Sequence, residues 1–146
     1  VRPPARSRSP WAPRRPLALF ALGFTLGLLL ACGAPREGVV WDDETTWTCT
    51  GTESRTLEGV TKDFTTPDLI AVEAGGQCQL RIVDCDLTAD FPVKVFGNAV
   101  VTIVGGRIEG RKQSLQAMGN GRIVIDGATI EGPEPGTMGN GKIEGL

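Results

Sequence analysis

The chain has 146 residues, enough for one domain, and its 40% hydrophobic and 22% charged residues are an ordinary mix for a folded protein. Fifteen basic residues against seventeen acidic ones give a formal charge of −2. There is no histidine, so metal sites and acid–base pairs built on imidazole are excluded, and 20 glycines promise many turns.

Residues 1–31 carry five arginines and no acid, and end in the apolar run LALFALGFTLGLLLA from Leu17 to Ala31. That run is too short and one-sided for a membrane span, and it ends in small residues, so it reads as a secretory signal peptide. Its removal leaves ten basic residues against seventeen acids, a net charge near −7, which argues against nucleic acid or anionic headgroups as partners.

The tetrapeptide LLAC, Leu29 to Cys32, resembles the lipobox of bacterial lipoproteins, with Leu at −3, Ala at −1 and the cysteine that receives the lipid. The resemblance implies lipidation of Cys32, cleavage before it, and a lipid-anchored protein of the bacterial cell envelope. Gly33 in place of an acidic residue points to the outer membrane. Two or three acyl chains, at roughly 0.8 kcal/mol per buried CH₂, anchor stably. Residues 32–40 then form the lipidated cysteine and a short tether. The Thr-rich segment 41–67, with Trp41 and Trp47, is expected to cap whatever fold follows.

From residue 68 the chain repeats. At offsets of 21 and 22, Leu80 aligns with Val101 and Ile123, Ile82 with Ile103 and Ile125, and Leu87 with Ile108 and Ile130. A further column runs through Val72, Val93 and Leu115, with Ala74, Val95 and Ala117 beside it. Apolar residues alternate with others within each segment, which is the period of a strand with one buried face. Strands that recur at one phase, stacked about 4.8 Å apart, predict a parallel β-solenoid. The pattern resembles the right-handed parallel β-helix of pectin-lyase-like proteins over 68–146, in about three coils of 20–22 residues. The next coil opens at Gly139 and the sequence stops mid-coil at Leu146, which reads as a truncated solenoid or an edge that a partner covers.

Asn98, Asn120 and Asn140 each follow a glycine at the same phase. Asparagine tolerates the left-handed region, and its amide can bond the amide one coil away, so these residues are expected to form a structural ladder at a corner. If Cys32 is lipidated, Cys49, Cys78 and Cys85 are left, and one disulfide, Cys49–Cys78 or Cys49–Cys85, is expected in an oxidising compartment.

Candidate chemistry lies in the outward columns and the variable inserts at 89–92, 110–114 and 132–134. Glu109 and Glu131 align on adjacent coils at a separation close to that of retaining glycosidase carboxylates, yet a pairing with Arg107 or Arg111 is the plainer expectation. Asp84, Asp86 and Asp126 are weak candidates for calcium; turn formation explains them better, and no resident cofactor or metal is expected. Arg111, Lys112 and Phe91, with Glu109 and Glu131, form the expected ligand-binding rim: cations for an acidic sugar and an aromatic ring for stacking. The expected role is an envelope-anchored binder or scaffold, with a polysaccharide or an envelope protein as partner. The alternatives are a polysaccharide lyase or hydrolase, against which the missing histidine counts, and a piece of a longer adhesin-like solenoid.

Overall fold

A computed structural model describes Trp41 and residues 43–146. The expected signal peptide, the lipidation site Cys32 and the tether to residue 40 lie outside the described residues. The described chain is all-β and makes four three-strand coils followed by two strands of another. The first coil is β1 (Trp47–Cys49), β2 (Ser54–Glu58) and β3 (Thr61–Asp63); the second is β4 (Ile70–Ala74), β5 (Gln79–Val83) and β6 (Asp86–Ala89). The third is β7 (Phe91–Val95), β8 (Val100–Val104) and β9 (Arg107–Gly110); the fourth is β10 (Leu115–Gly119), β11 (Arg122–Asp126) and β12 (Thr129–Glu131). Strands β13 (Gly136–Gly139) and β14 (Lys142–Glu144) follow.

Every third strand joins the same sheet, always in parallel. Sheet 1 is β1-β4-β7-β10-β13, sheet 2 is β2-β5-β8-β11-β14, and sheet 3 is β3-β6-β9-β12. This is a β-solenoid, and its registers are those the repeat predicts: Val72–Val93–Leu115, Ile82–Ile103–Ile125 and Leu87–Ile108–Ile130. The inward members of these columns are buried or nearly so, forming one continuous apolar core. Each fully buried aliphatic side chain contributes roughly 1.5–3 kcal/mol, and β-branched residues suit the pleated surface.

The segment expected as a cap is itself the first described coil. Trp47 pairs with Val72, Leu57 with Ile82 and Thr61 with Asp86, so residues 47–63 extend all three ladders. The step along sheet 1 is 25 residues here (47 to 72), then 21 (72 to 93), 22 (93 to 115) and 20 (117 to 137). In this coil two apolar columns hold cations. Arg55 stands in register with Leu80 and Lys62 with Leu87. The Arg55 guanidinium lies 4.6 Å from the Trp47 ring centroid and donates to Thr48 O at 2.9 Å, while the Lys62 ammonium lies 5.7 Å from that of Phe64. Long side chains that cover apolar surface and end in charge blunt a strand edge.

Ahead of β1, Glu44 accepts hydrogen bonds from Thr65 N at 2.9 Å and Thr66 N at 2.7 Å, and Trp41 packs edge-on against Phe64 with centroids 4.7 Å apart. The Thr65 backbone N–H, helped by Thr66, holds the Glu44 carboxyl near a pKa of about 2, below its ordinary 4.5. A depressed carboxylate pKa means the contact is complete above about pH 4.5 and is lost as pH falls through about 2. The amide proton shifts of Thr65 and Thr66 are therefore expected to titrate with a midpoint near 2, and Glu44→Gln to abolish that titration. A midpoint near the ordinary glutamate value would contradict the contact.

Between sheets 1 and 2, a column of glycines turns the corner in the left-handed region, among them Gly97 (φ 69°) and Gly119 (φ 64°). The asparagines beside them form the ladder: Asn120 Nδ2 donates to Asn98 Oδ1 at 2.9 Å and Asn140 Nδ2 to Asn120 Oδ1 at 3.1 Å. The left-handed conformation belongs to the glycine of each Gly-Asn pair, which has no Cβ to clash, and not to the asparagine, whose part is its amide. Between sheets 2 and 3, Asp84 takes the left-handed position (φ 48°) that Gly105 and Gly127 take in later coils.

Cys49 and Cys78 form the disulfide, with Cα atoms 6.0 Å apart, tying the first coil to the second. Cys85 is left as a free, buried thiol at the other corner, so the Cys49–Cys85 alternative falls away. Burial pushes its pKa up, and its Sγ donates to Val83 O at 3.3 Å.

Candidate functional site

The outward face of sheet 3 carries the two columns Asp86–Arg107–Thr129 and Thr88–Glu109–Glu131. Glu109 and Glu131 are neighbours in register, and Arg107 lies against both: its Nη2 is 2.7 Å from Glu109 Oε2 and 2.6 Å from Glu131 Oε2. The hydrogen bond from Arg107 lowers the Glu131 pKa, and its charge adds to the effect. A glycosidase acid needs the reverse, a carboxyl held protonated near neutral pH. This trio is a bridge between adjacent coils.

Arg111 and Lys112 follow β9 at the corner between sheets 3 and 1. Arg111 donates to Phe64 O and to Asp63 Oδ1 (3.2 Å), and its Nε lies 3.8 Å from Asp90. Lys112 pairs with Asp68 and lies 3.3 Å from Asp90 Oδ2. Asp90, with its side chain only 12% exposed, also accepts a hydrogen bond from Asp68 N at 2.8 Å. That backbone donor, then Lys112 and Arg111, lowers the Asp90 pKa, and Asp68 followed by Asp90 raises that of Lys112. The two cations thus bind acids and a carbonyl of neighbouring coils, lacing one corner along the axis. Phe91 follows Asp90, opens β7 opposite Ile70, and is half-buried. The structure brings Glu109 and Glu131 together through Arg107, and Arg111 and Lys112 together through Asp90, as two separate ion-pair groups.

The acids considered for calcium are dispersed. Asp84 occupies a turn, Asp86 opens β6, and Asp126 ends β11 in register with Val104. Among the described residues, no three of Cys, Asp and Glu are grouped so as to hold a metal ion.

Two open surfaces were not singled out by the sequence. On sheet 2, a shallow recess of about 310 Å³ is lined by Thr56, Arg81 and Thr102 in one outward column, with Ser54 and Gln79 beside them. On sheet 1, a groove of about 440 Å³ lies over β10 and β13. Its apolar side is the Met118–Met138 pair, in register on adjacent coils, with Met138 63% exposed. Its polar side is Lys94, Gln116 and the bare backbone of Gly136, over which the Gln113 amide lies. Gln116 Nε2 donates to Gln113 Oε1, and Lys94 lies 3.8 Å from Glu73. The sequence did hold a trace of this groove. The residue before each Gly-Asn pair is Phe96, Met118 and Met138, large and apolar at an outward position in three successive coils.

Compared with known proteins, the chain matches no protein-family model, no curated protein and no solved structure.

Proposed function

We propose that this protein is an exported lipoprotein, anchored through Cys32 in the bacterial envelope at the outer membrane, whose solenoid is a rigid binding scaffold for polysaccharide. Arg/Pro-rich stretch, apolar run and LLAC stand in the order that export and lipidation require. The Cys49–Cys78 disulfide carries the exported reading, because such bonds persist in oxidising compartments. The pectin-lyase-like reading of the repeat is part of this proposal, though the charged groups on sheet 3 and its corner bind one another. Those ion pairs favour a scaffold over a poised catalytic pair. The acidic balance of residues 32–146 suits a sugar partner better than nucleic acid.

Expression of the full chain in a bacterium fed an alkyne-tagged fatty acid tests the anchor. The protein is expected to take up the label and fractionate with membranes, and Cys32→Ser to lose both properties. Unlabelled protein, or a Cys32→Ser variant still held in the membrane fraction, would refute it.

A further inference from the structure

We propose that the groove on the outer face of sheet 1 is a subsite for a neutral saccharide chain, seated on Met118 and Met138 and hydrogen-bonded by Gln113 and Gln116; this rests on the polysaccharide-binding reading above. The groove joins two outward columns of unlike chemistry. Met118 and Met138, in register on adjacent coils, offer apolar and polarisable surface. Beside them, Gly136 carries no side chain where its neighbours carry Gln116 and Lys94. A Cβ at Gly136 would come within 2.0 Å of Gln113 Nε2, so the amide occupies the place a side chain would take.

The amide pair is preorganised. With one Gln116 N–H given to Gln113 Oε1, the pair presents the Gln113 N–H donors, the second Gln116 N–H and the Gln116 carbonyl acceptor. A pyranose ring matches this: its hydroxyls both donate and accept, and its C–H face packs on thioethers. A hydrocarbon ligand would cover the remaining N–H donors and the Gln116 carbonyl without pairing them, which is costly. The class is neutral because the one cation beside the groove, Lys94, already faces Glu73. A volume of about 440 Å³ falls within the range of small-ligand clefts.

The chain contains two methionines, and both line this groove. Protein labelled with ¹³C at the methionine methyls therefore reports on the site with two signals. The probes are neutral hexasaccharides of glucan, mannan and chitin type, with hexagalacturonate as the acidic counterpart, titrated into the millimolar range. Both methyl signals are expected to shift and saturate with at least one neutral probe and to stay in place with hexagalacturonate. Gln116→Ala should weaken that binding roughly tenfold, the worth of one well-placed hydrogen bond. Gly136→Val, whose side chain displaces the Gln113 amide, should abolish it. Backbone amides of sheets 2 and 3 that keep their positions in both variants show that the fold is intact.

Methyl signals that stay still while amides on another face shift would overturn this site and leave the polysaccharide reading standing. Silence of every resonance with every probe would overturn both. Equal response to hexagalacturonate, or unchanged binding by Gly136→Val, would overturn the neutral class or the groove itself.

Discussion

Ile103→Ala will lower the free energy of unfolding by about 2–5 kcal/mol, the range for large-to-small changes in a core that cannot collapse around the void. Ile103 is fully buried on β8, between Ile82 of the coil before and Ile125 of the coil after. In a globular core a cavity is shared among neighbours from many directions. Here the ladder hydrogen bonds fix the spacing of the coils, so the neighbouring side chains cannot close in. The position also lies midway along the described stack. A solenoid's stability is approximately a chain of nearest-neighbour interfaces, so weakening the central one uncouples the two sides. Urea unfolding followed by circular dichroism measures the loss. A change below about 1 kcal/mol would mean that the coils do slide together, contrary to a close-packed stack.

The second large effect belongs to the Cys49–Cys78 bond. The two residues are 29 apart in sequence, and a loop of that size is stabilised by roughly 3–4 kcal/mol through the restricted unfolded chain. The double variant Cys49→Ser, Cys78→Ser is expected to lose about that amount. The loss should begin locally, since β2 and β3 bury few side chains and the first coil is held largely by its ladders. Gly75 N donates to Cys49 O at 2.9 Å, Gln77 N to Gly51 O at 2.7 Å and Gln79 N to Glu53 O at 2.9 Å. Hydrogen exchange at these three amides should quicken well before that at Asn98 or Val100, whose donors reach the second coil. Equal exchange in the variant and the parent would show that the first coil stands without its bond.

The ladders of the second, third and fourth coils were legible in the sequence because their steps are nearly constant and their inward residues are aliphatic. The first coil was hidden twice over. Its 25-residue step puts it out of phase, and its column positions hold Arg55 and Lys62 where later coils hold Leu80 and Leu87. Composition marked those residues as surface, which is true of Arg55, while backbone pairing made them part of the stack. The functional positions were harder to read. Sequence order shows that Arg111 and Lys112 sit on an insert, but not that Asp63, Asp68 and Asp90 come from earlier coils to meet them. Which charges face each other depends on corner geometry, and that is fixed only once the register is known. Met118 and Met138 each stand beside a Gly-Asn corner, and a methionine carries little pattern until it is stacked on another.

The unequal coil lengths have one source. Between sheets 1 and 2 the spacing is always five residues, as from Cys49 to Ser54, Ala74 to Gln79, Val95 to Val100, Ala117 to Arg122 and Thr137 to Lys142. Between sheets 2 and 3 the connection is always two residues: 59–60, 84–85, 105–106 and 127–128. Only the passage from sheet 3 to sheet 1 varies, from the six residues 64–69 to the single Asp90. The molecule thus has one seam along which residues can be gained or lost coil by coil without changing the pitch. A peptide spliced between Pro133 and Glu134, both exposed on that seam, would be displayed at the edge while the ladders on either side stayed in step.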